Sequence, residues 1–298
     1  MMATVDCPLC GASGAAPLGA KEVEAVSYPL ARCAACALVF VTHVPAAAEL
    51  QRYYDRLWAE ESDPSRTEQT ATVQGIEAAR FQRRLSELSR LTLPGQLLDV
   101  GCKDGAFLCA AHSAGWTVAG VELSAAAAQP AHAAGLHVFV GALEAAPFAP
   151  GRFDVVTLWH IIEHVPRPLD LLRAIHRVLK PQGLLAIETP NIAGRGFRRH
   201  GLDWQYLTPP AHLRYFSTAS LRAAFARTGY TVVAERFEGG TGVGPQLSRA
   251  RLGGLRQWAL AHYRWVWPLK RLYLALFGRL APSDDIMIIH ARKREPRT

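Results

Sequence analysis

The stretch Leu97-Leu98-Asp99-Val100-Gly101-Cys102-Lys103-Asp104-Gly105-Ala106-Phe107-Leu108 constrains this chain more than any other. An apolar run stops at a glycine turn and restarts with helical character, so it predicts a buried strand, a tight loop and a helix. Gly101 and Gly105 permit positive φ or close backbone approach. Such a turn aims helix N-terminal N–H groups into the crevice at the strand tip. The next apolar run, TVAGVEL, carries Glu122, 21 residues after Gly101. A carboxylate at the tip of a second strand can accept hydrogen bonds from both hydroxyls of a ribose. The chain is therefore expected to hold a nucleoside.

The spacing of the turn is not G-x-G-x-x-G, and Asp99 and Asp104 put negative charge where a pyrophosphate would lie. A cationic ligand suits it better. Here the chain resembles the class I S-adenosylmethionine-dependent methyltransferases, whose first motif runs D-x-G-x-G-x-G; Lys103 stands at the middle glycine. The segment FDVVTLWHIIEHVPRPLDLLRAIHRVLKPQGLLAIETPN resembles the fourth and fifth motifs of the same family. The likeness covers residues 95–237 and resumes at 284–293. It implies that Asp99, Gly101 and Gly105 hold the methionine part of the donor and that Glu122 holds the ribose. It further implies that Leu123 covers the adenine, that Leu143 and Glu144 line its far end, and that Trp159 and His160 border the methyl group.

From Gln96 onward, predicted strands and helices alternate, which argues for a parallel sheet with helices on both faces. The fold expected is α/β, a Rossmann-like class I methyltransferase with a seven-stranded, mostly parallel sheet. LLDV, TVAGVEL, LHVFVG, RFDVVTLW, LLAIETP, YTVVAERF and IMIIHARK are its strands. LDLLRAIHRVLK is an amphipathic helix stopped by Pro181 and Gly183, and SLRAAFARTG a helix capped by Ser217 or Thr218 and stopped by Gly229.

Ahead of this domain stand Cys7-Pro-Leu-Cys10 and Cys33-Ala-Ala-Cys36, two C-x₂-C pairs 22 residues apart. Four thiolates at this spacing match a closed tetrahedral zinc site. A segment so short needs such a staple to fold. The zinc is read as structural, because no coordination position stays open. Residues 1–44 form the zinc ribbon, with ALVFVTHV as a strand leaving the second knuckle. Residues 45–94 form a helical cap and linker, and 95–298 the main domain.

The chemistry is expected beyond the fourth strand, in Trp159-His160-Ile161-Ile162-Glu163-His164. As a helical turn, positions 160, 163 and 164 would share a face. His212, in PPAHLRYF, lies on a loop able to close over the same crevice. Methyl transfer is an in-line displacement that needs alignment, exclusion of water and removal of a proton. Imidazole suits the last task. Alternatively His160, Glu163, His164 and His212 bind a divalent cation that acidifies a hydroxyl. Ubiquinone-type and small-RNA methyltransferases carry E-x-x-E-H with a later histidine and bind a metal there; here the first glutamate is His160. Nucleotide-sugar C-methyltransferases pair a zinc segment with this domain, but use Y-x-E-H where this chain has Pro209-Pro210-Ala211-His212.

The formal net charge is +8 over 298 residues. Residues 239–283 hold seven basic residues and no acidic one, interleaved with Trp258, Tyr263, Trp265, Trp267, Tyr273 and Phe277. This insertion suits a membrane interface or an apolar acceptor with an anionic head, or else a pair of packed helices. No apolar run on the order of 18 residues is present, and the first residues lack signal-peptide character. The expectation is a cytoplasmic protein with peripheral membrane contact. The acceptor is a hydroxylated small molecule, glycan or lipid-linked intermediate, methylated on oxygen. Carbon methylation of a nucleotide sugar is one alternative, and RNA binding or RNA methylation another. Nucleic acid is disfavoured because the ribbon is not notably basic.

Overall fold

A computed structural model describes residues 5–61, 71–239 and 284–294. The central element is a seven-stranded sheet. Its strands are β4 (Gln96–Val100), β5 (Thr117–Glu122), β6 (Val138–Val140), β7 (Phe153–Trp159), β8 (Leu179–Pro190), β10 (Tyr230–Glu238) and β11 (Ile286–Lys293). They lie in the order β10-β11-β8-β7-β4-β5-β6. β6, β5, β4, β7 and β8 pair in parallel, and β11 runs antiparallel to both neighbours. This is the expected α/β architecture. β4 explains itself: Leu97, Leu98, Asp99 and Val100 are all buried, as a central parallel strand covered on both faces demands.

Helices cover both faces. On one lie α5 (Pro168–Val178) and α7 (Thr218–Thr228), whose Leu171, Leu172, Ile175, Leu221 and Phe225 join Leu98, Val156 and Ile187 of the sheet. On the other, α2 (Ala71–Leu91) and α3 (Ala106–Ser113) bring Leu85, Leu88, Phe107 and Leu108 against Leu97, Val155 and Ala186. α4 (Ala125–Ala133) continues this face with Ala128 and Ala131. Ser217 caps α7 through a capping box with Ser220, and Gly229 ends it at φ 82°. α5 stops at Val178, two residues before the expected Lys180, and Leu179 already pairs with Phe153. The chain then loops out through Gln182, φ 59°, before the strand resumes at Leu184.

A second sheet, order β1-β2-β3-β9, comprises β1 (Ala16–Val23), β2 (Val26–Arg32), β3 (Val39–Val41) and β9 (Arg214–Tyr215). Pattern alone finds β3 but not the β1–β2 hairpin. Its turn residues Glu24 and Ala25 both take positive φ, 48° and 63°, a conformation that normally announces itself with Asn-Gly. β9 is contributed from far along the chain, beyond β8 and the short α6 (Arg195–His200), so the N-terminal sheet is completed by the loop that carries His212. α1 (Ala47–Glu61) lies over the carboxyl ends of the central strands, where its Tyr54 meets His164 and its Asp55 accepts from Ser124 Oγ at 3.2 Å. The basic aromatic insertion, from 240 onward to 283, lies outside the described residues.

Candidate functional site

The carboxyl ends of β4 and β5 form the first half of the site. Asp99 and Thr157 sit opposite one another in β4 and β7, and the threonine hydroxyl donates to Asp99 Oδ1 at 2.5 Å. Burial pushes the Asp99 carboxyl up to about 7, against the pull of Thr157 and Arg84. Gly101 has φ 78°, and a Cβ there would collide with Ile161 Cδ1. Gly105, also at φ 78°, has Leu136 Cδ1 2.5 Å from where its Cβ would stand. Lys103 adopts φ 47°, a left-handed conformation that favours glycine, at the position of the middle glycine of the motif. Glu122 Oε2 accepts from the Lys103 N–H at 3.1 Å and Oε1 from the Ser124 N–H at 2.9 Å. Two backbone donors thus hold this carboxylate at the strand tip, with further lone pairs to offer. Leu123 beside it is 55% exposed. Leu143 is buried and Glu144 exposed on a short 3₁₀ turn after β6.

These residues fit S-adenosylmethionine. The acidic set Asp99, Asp104 and Glu122 matches a ligand carrying sulfonium and ammonium charge. Trp159 Nε1 is buried with no hydrogen-bond partner among the described residues, an orphaned donor at the end of β7. The Trp159 ring is held edge-on by Phe107, centroids 5.4 Å apart, and covered by the Arg84 guanidinium 4.3 Å from its centroid.

The second half lies past β7 and β8. The expected helical turn starting at His160 is not formed. His160 takes φ 57°, its N–H donates to Glu188 O at 2.8 Å, and only Ile162–His164 form a 3₁₀ turn. Its ring therefore lies between two carboxylates: Nδ1 is 3.1 Å from Glu163 Oε1 and Nε2 is 3.1 Å from Glu188 Oε1. Burial opposes charge on this imidazole, but the hydrogen bonds and charges of Glu163 and Glu188 outweigh it and raise it to about 9. His160 is thus an imidazolium donating to both acids. Burial likewise opposes the Glu163 carboxylate, yet His160 holds it down at about 2. Glu163 Oε2 also accepts from Thr189 Oγ1 at 2.8 Å.

His164 and His212 are a different pair. His164 Nδ1 lies 2.9 Å from Ala211 O, and His212 Nδ1 lies 2.7 Å from Tyr206 O. A carbonyl only accepts, so each Nδ1 carries the proton and each Nε2 keeps its lone pair. Burial, then the neighbouring His212, pushes His164 down to about 4, and burial lowers His212 as well. The rings meet edge to face at 4.8 Å. One ligand atom from each of Glu163, His164 and His212 can be chosen so that all three lie within 4.8 Å of one another. Two neutral imidazoles oriented through Nδ1–H bonds, with one ionised carboxylate, fit a divalent cation. His160 stands outside that group, its two nitrogens spent on the glutamates.

The four cysteines come together as the spacing predicts. Cys7 and Cys36 Sγ are 3.5 Å apart, as are Cys10 and Cys33, and all four lie within 4.8 Å. The two knuckles repeat one turn: Gly11 and Ala37, at φ 74° and 60°, donate to Cys7 O and Cys33 O at 2.9 and 3.0 Å. Tetrahedral zinc with bonds of about 2.3 Å spaces its sulfurs by roughly 3.8 Å, so the set fits that ion.

Pattern reasoning missed Tyr54, Arg84, Thr157, Glu188, Thr189 and Arg214. Glu188 did leave a signal, a carboxylate inside the apolar run LLAIETP, where burial requires a partner. Its partner is Arg84, Nε 2.9 Å from Oε2 and itself buried. Tyr54 donates to Ala211 O at 3.1 Å and packs edge-on to His164.

The parallel sheet with one reversed strand, the acid-tipped β5 and the glycine turn define the class I S-adenosylmethionine-dependent methyltransferase fold. Residues 73–235 match the model of a family described as "Methyltransferase domain", more than half of the chain, and the chain belongs to that family. Among curated proteins it is similar to ubiquinone biosynthesis O-methyltransferases. That of Thiobacillus denitrificans is 37% identical over 114 residues, 35% of this chain and 48% of the relative. That of Xanthomonas campestris pv. campestris is 33% identical over 156 residues, 47% of this chain and 64% of the relative. The matches thus span about half of those relatives' length. In structure it is similar to a SAM-dependent methyltransferase from Archaeoglobus fulgidus, with TM-score 0.50, 17% identity and coverage of 74% of this chain and 94% of the other. It is also similar to a chain from the complex of the Haloferax volcanii Trm112 methyltransferase activator with a methyltransferase. There the TM-score is 0.51 and the identity 19%, with 74% and 93% covered. At these identities the structural likeness speaks for the fold alone.

Proposed function

We propose that this protein transfers a methyl group from S-adenosylmethionine to a hydroxyl oxygen of a small molecule. The observation that carries the reading is the pair of Nδ1-anchored, neutral imidazoles facing the Glu163 carboxylate beyond the donor half of the site. Asp99, Gly101 and Gly105 hold the methionine part of the donor, Glu122 the ribose, and Leu123, Leu143 and Glu144 the adenine. The bound donor supplies an electrophilic methyl carbon on sulfur. Trp159 walls the methyl position. The acceptor oxygen forms a bond to that carbon as the carbon–sulfur bond breaks with its electron pair going to sulfur. His212 or His164 takes the hydroxyl proton at Nε2, the nitrogen its backbone bond leaves free. A divalent cation on Glu163, His164 and His212 would supply Lewis acidity toward the same hydroxyl. His160 keeps Glu163 ionised and in place. Zinc on Cys7, Cys10, Cys33 and Cys36 is structural.

The named role of the curated relatives in ubiquinone biosynthesis supports oxygen as the acceptor atom and a small hydroxylated acceptor, with glycan and lipid-linked acceptors as finer options. No helix among the described residues is long and apolar enough to cross a membrane. Membrane contact through 239–283 falls, from 240 onward, on residues outside that description.

The test is calorimetric titration with S-adenosylmethionine, wild type against Glu122→Ala, beside transfer of labelled methyl to a panel of phenols and polyols. Wild type should bind, and the variant should lose roughly 10- to 100-fold in affinity, as when a buried charged acceptor of two hydroxyls is removed. Equal affinities would discard the ribose assignment. Turnover that survives chelators would favour imidazole base catalysis over the cation.

A further inference from the structure

The cysteine ribbon and the candidate catalytic centre share a strand. β3 begins three residues after Cys36, and its Val39 and Phe40 pair with Tyr215 and Arg214 of β9. The Val41 N–H donates to Leu213 O at 3.0 Å, and the Leu213 N–H donates to Glu163 O at 2.8 Å. His212 is the residue before. A continuous run of backbone hydrogen bonds therefore leads from the second knuckle to both sides of the Glu163–His164–His212 group.

Arg214 crosses the same junction. It is buried, at 4% exposure, and among the described residues its guanidinium bonds carbonyls, not carboxylates. Nε and Nη2 donate to Pro166 O at 3.2 and 2.9 Å, just past His164. Nη1 donates to Val41 O at 3.2 Å and Leu213 O at 3.1 Å. A buried cation is retained only where its donors are used, and this planar fork uses them to clamp three backbone segments at once. Those segments are the ribbon strand, the strand following His212 and the turn following His164. Phe40 lies beneath the guanidinium, 6.0 Å from its ring centroid.

We propose that Arg214 is a positioning residue through which the four-cysteine ribbon sets the geometry of the Glu163–His164–His212 centre. The proposal rests on the reading of that centre given above. A ribbon that loses its cross-link loosens β3, and with it the strand that seats His212. A lysine cannot reproduce the fork, because one ammonium cannot span the Pro166 and Val41 carbonyls in the same plane.

The experiment uses the full chain as wild type, Cys10→Ser, Arg214→Lys and Arg214→Met. Three quantities are measured: S-adenosylmethionine affinity by calorimetry, kcat and KM for methyl transfer, and the ring ¹⁵N–¹H signals of His164 and His212, assigned with His164→Asn and His212→Asn. Cys10→Ser and Arg214→Met should keep donor affinity within about threefold, shift both ring signals, and lower kcat roughly 10- to 100-fold, as loss of an orienting partner does. Arg214→Lys should fall between. Ring signals and kcat unchanged in Cys10→Ser and Arg214→Met would overturn the proposal. So would loss of donor affinity in step with kcat, which marks a general loss of fold. A wild type that neither binds the donor nor transfers methyl defeats the functional reading instead, and the ring signals still decide whether ribbon and histidines are coupled.

Discussion

Single residues here do different jobs with the same chemistry. Four histidines sit on or near the carboxyl-terminal half of the sheet in three protonation settings. His160 is charged between two carboxylates, and His164 and His212 are neutral with Nδ1 on a carbonyl. His290, in β11, is buried with Nε2 unpartnered among the described residues, and burial followed by the charge of Arg236 lowers it to about 4. The spacing H-x-x-E-H shows none of this, since an imidazole's state is decided by what its nitrogens meet. His290 yields a pH prediction. Its folded-state value lies below the usual 6.5, so the unfolded chain takes up a proton that the folded one refuses. Its contribution is intact above 6.5 and is lost as pH falls toward 4, with a limiting slope of about 1.4 kcal/mol per pH unit. Denaturant melts from pH 7 to 4 should give a pH slope shallower in His290→Phe than in wild type by up to that amount, the other shifted groups contributing equally to both; identical slopes would contradict it.

At the scale of elements, what is legible in the sequence is what is local in origin. The Ser217 cap, the Gly229 stop and the amphipathic α5 follow from side-chain chemistry within one turn of the chain. Ser217→Ala removes a capping box and should cost about 1 kcal/mol, seen as a lower denaturation midpoint at unchanged slope. A change below a few tenths would mean that the buried α7 no longer depends on its cap. The β1–β2 hairpin leaves no such signal, because Glu24 and Ala25 occupy a turn that side-chain identity does not advertise. Arg84 is hidden for the opposite reason. An arginine on an amphipathic helix looks solvent-facing, and only the juxtaposition of α2 with β7 and β8 gives it Glu188 and the Trp159 ring.

The whole molecule is knit across its parts. Cys7, Cys33, Cys36, Leu38 and Phe40 of the ribbon belong to one apolar cluster with Leu98, Leu172, Ile175 and Phe225 of the sheet and its helices. β9 adds a hydrogen-bonded seam. Such a shared core predicts that ribbon and main domain unfold together. Phe40→Ala, at a residue 1% exposed, should destabilise the chain by about 3–5 kcal/mol. Calorimetry should show one transition moving as a unit; a small early transition split from an unmoved main one would refute the shared core.

The amino-acid sequence by itself determined the seven strands of the central sheet, the glycine turn with its acid 21 residues on, and the gathering of four cysteines. Each arises from chemistry confined to a few neighbouring residues, or from a pattern that repeats along one element. Tertiary structure alone decided that His160 faces Glu188 rather than joining His164, that Arg84 is buried, and that β9 leaves the main domain to complete the ribbon's sheet. Those outcomes depend on contacts between residues tens to hundreds of positions apart. A buried charge takes whichever partner the packed backbones place within reach, and no local pattern records that choice.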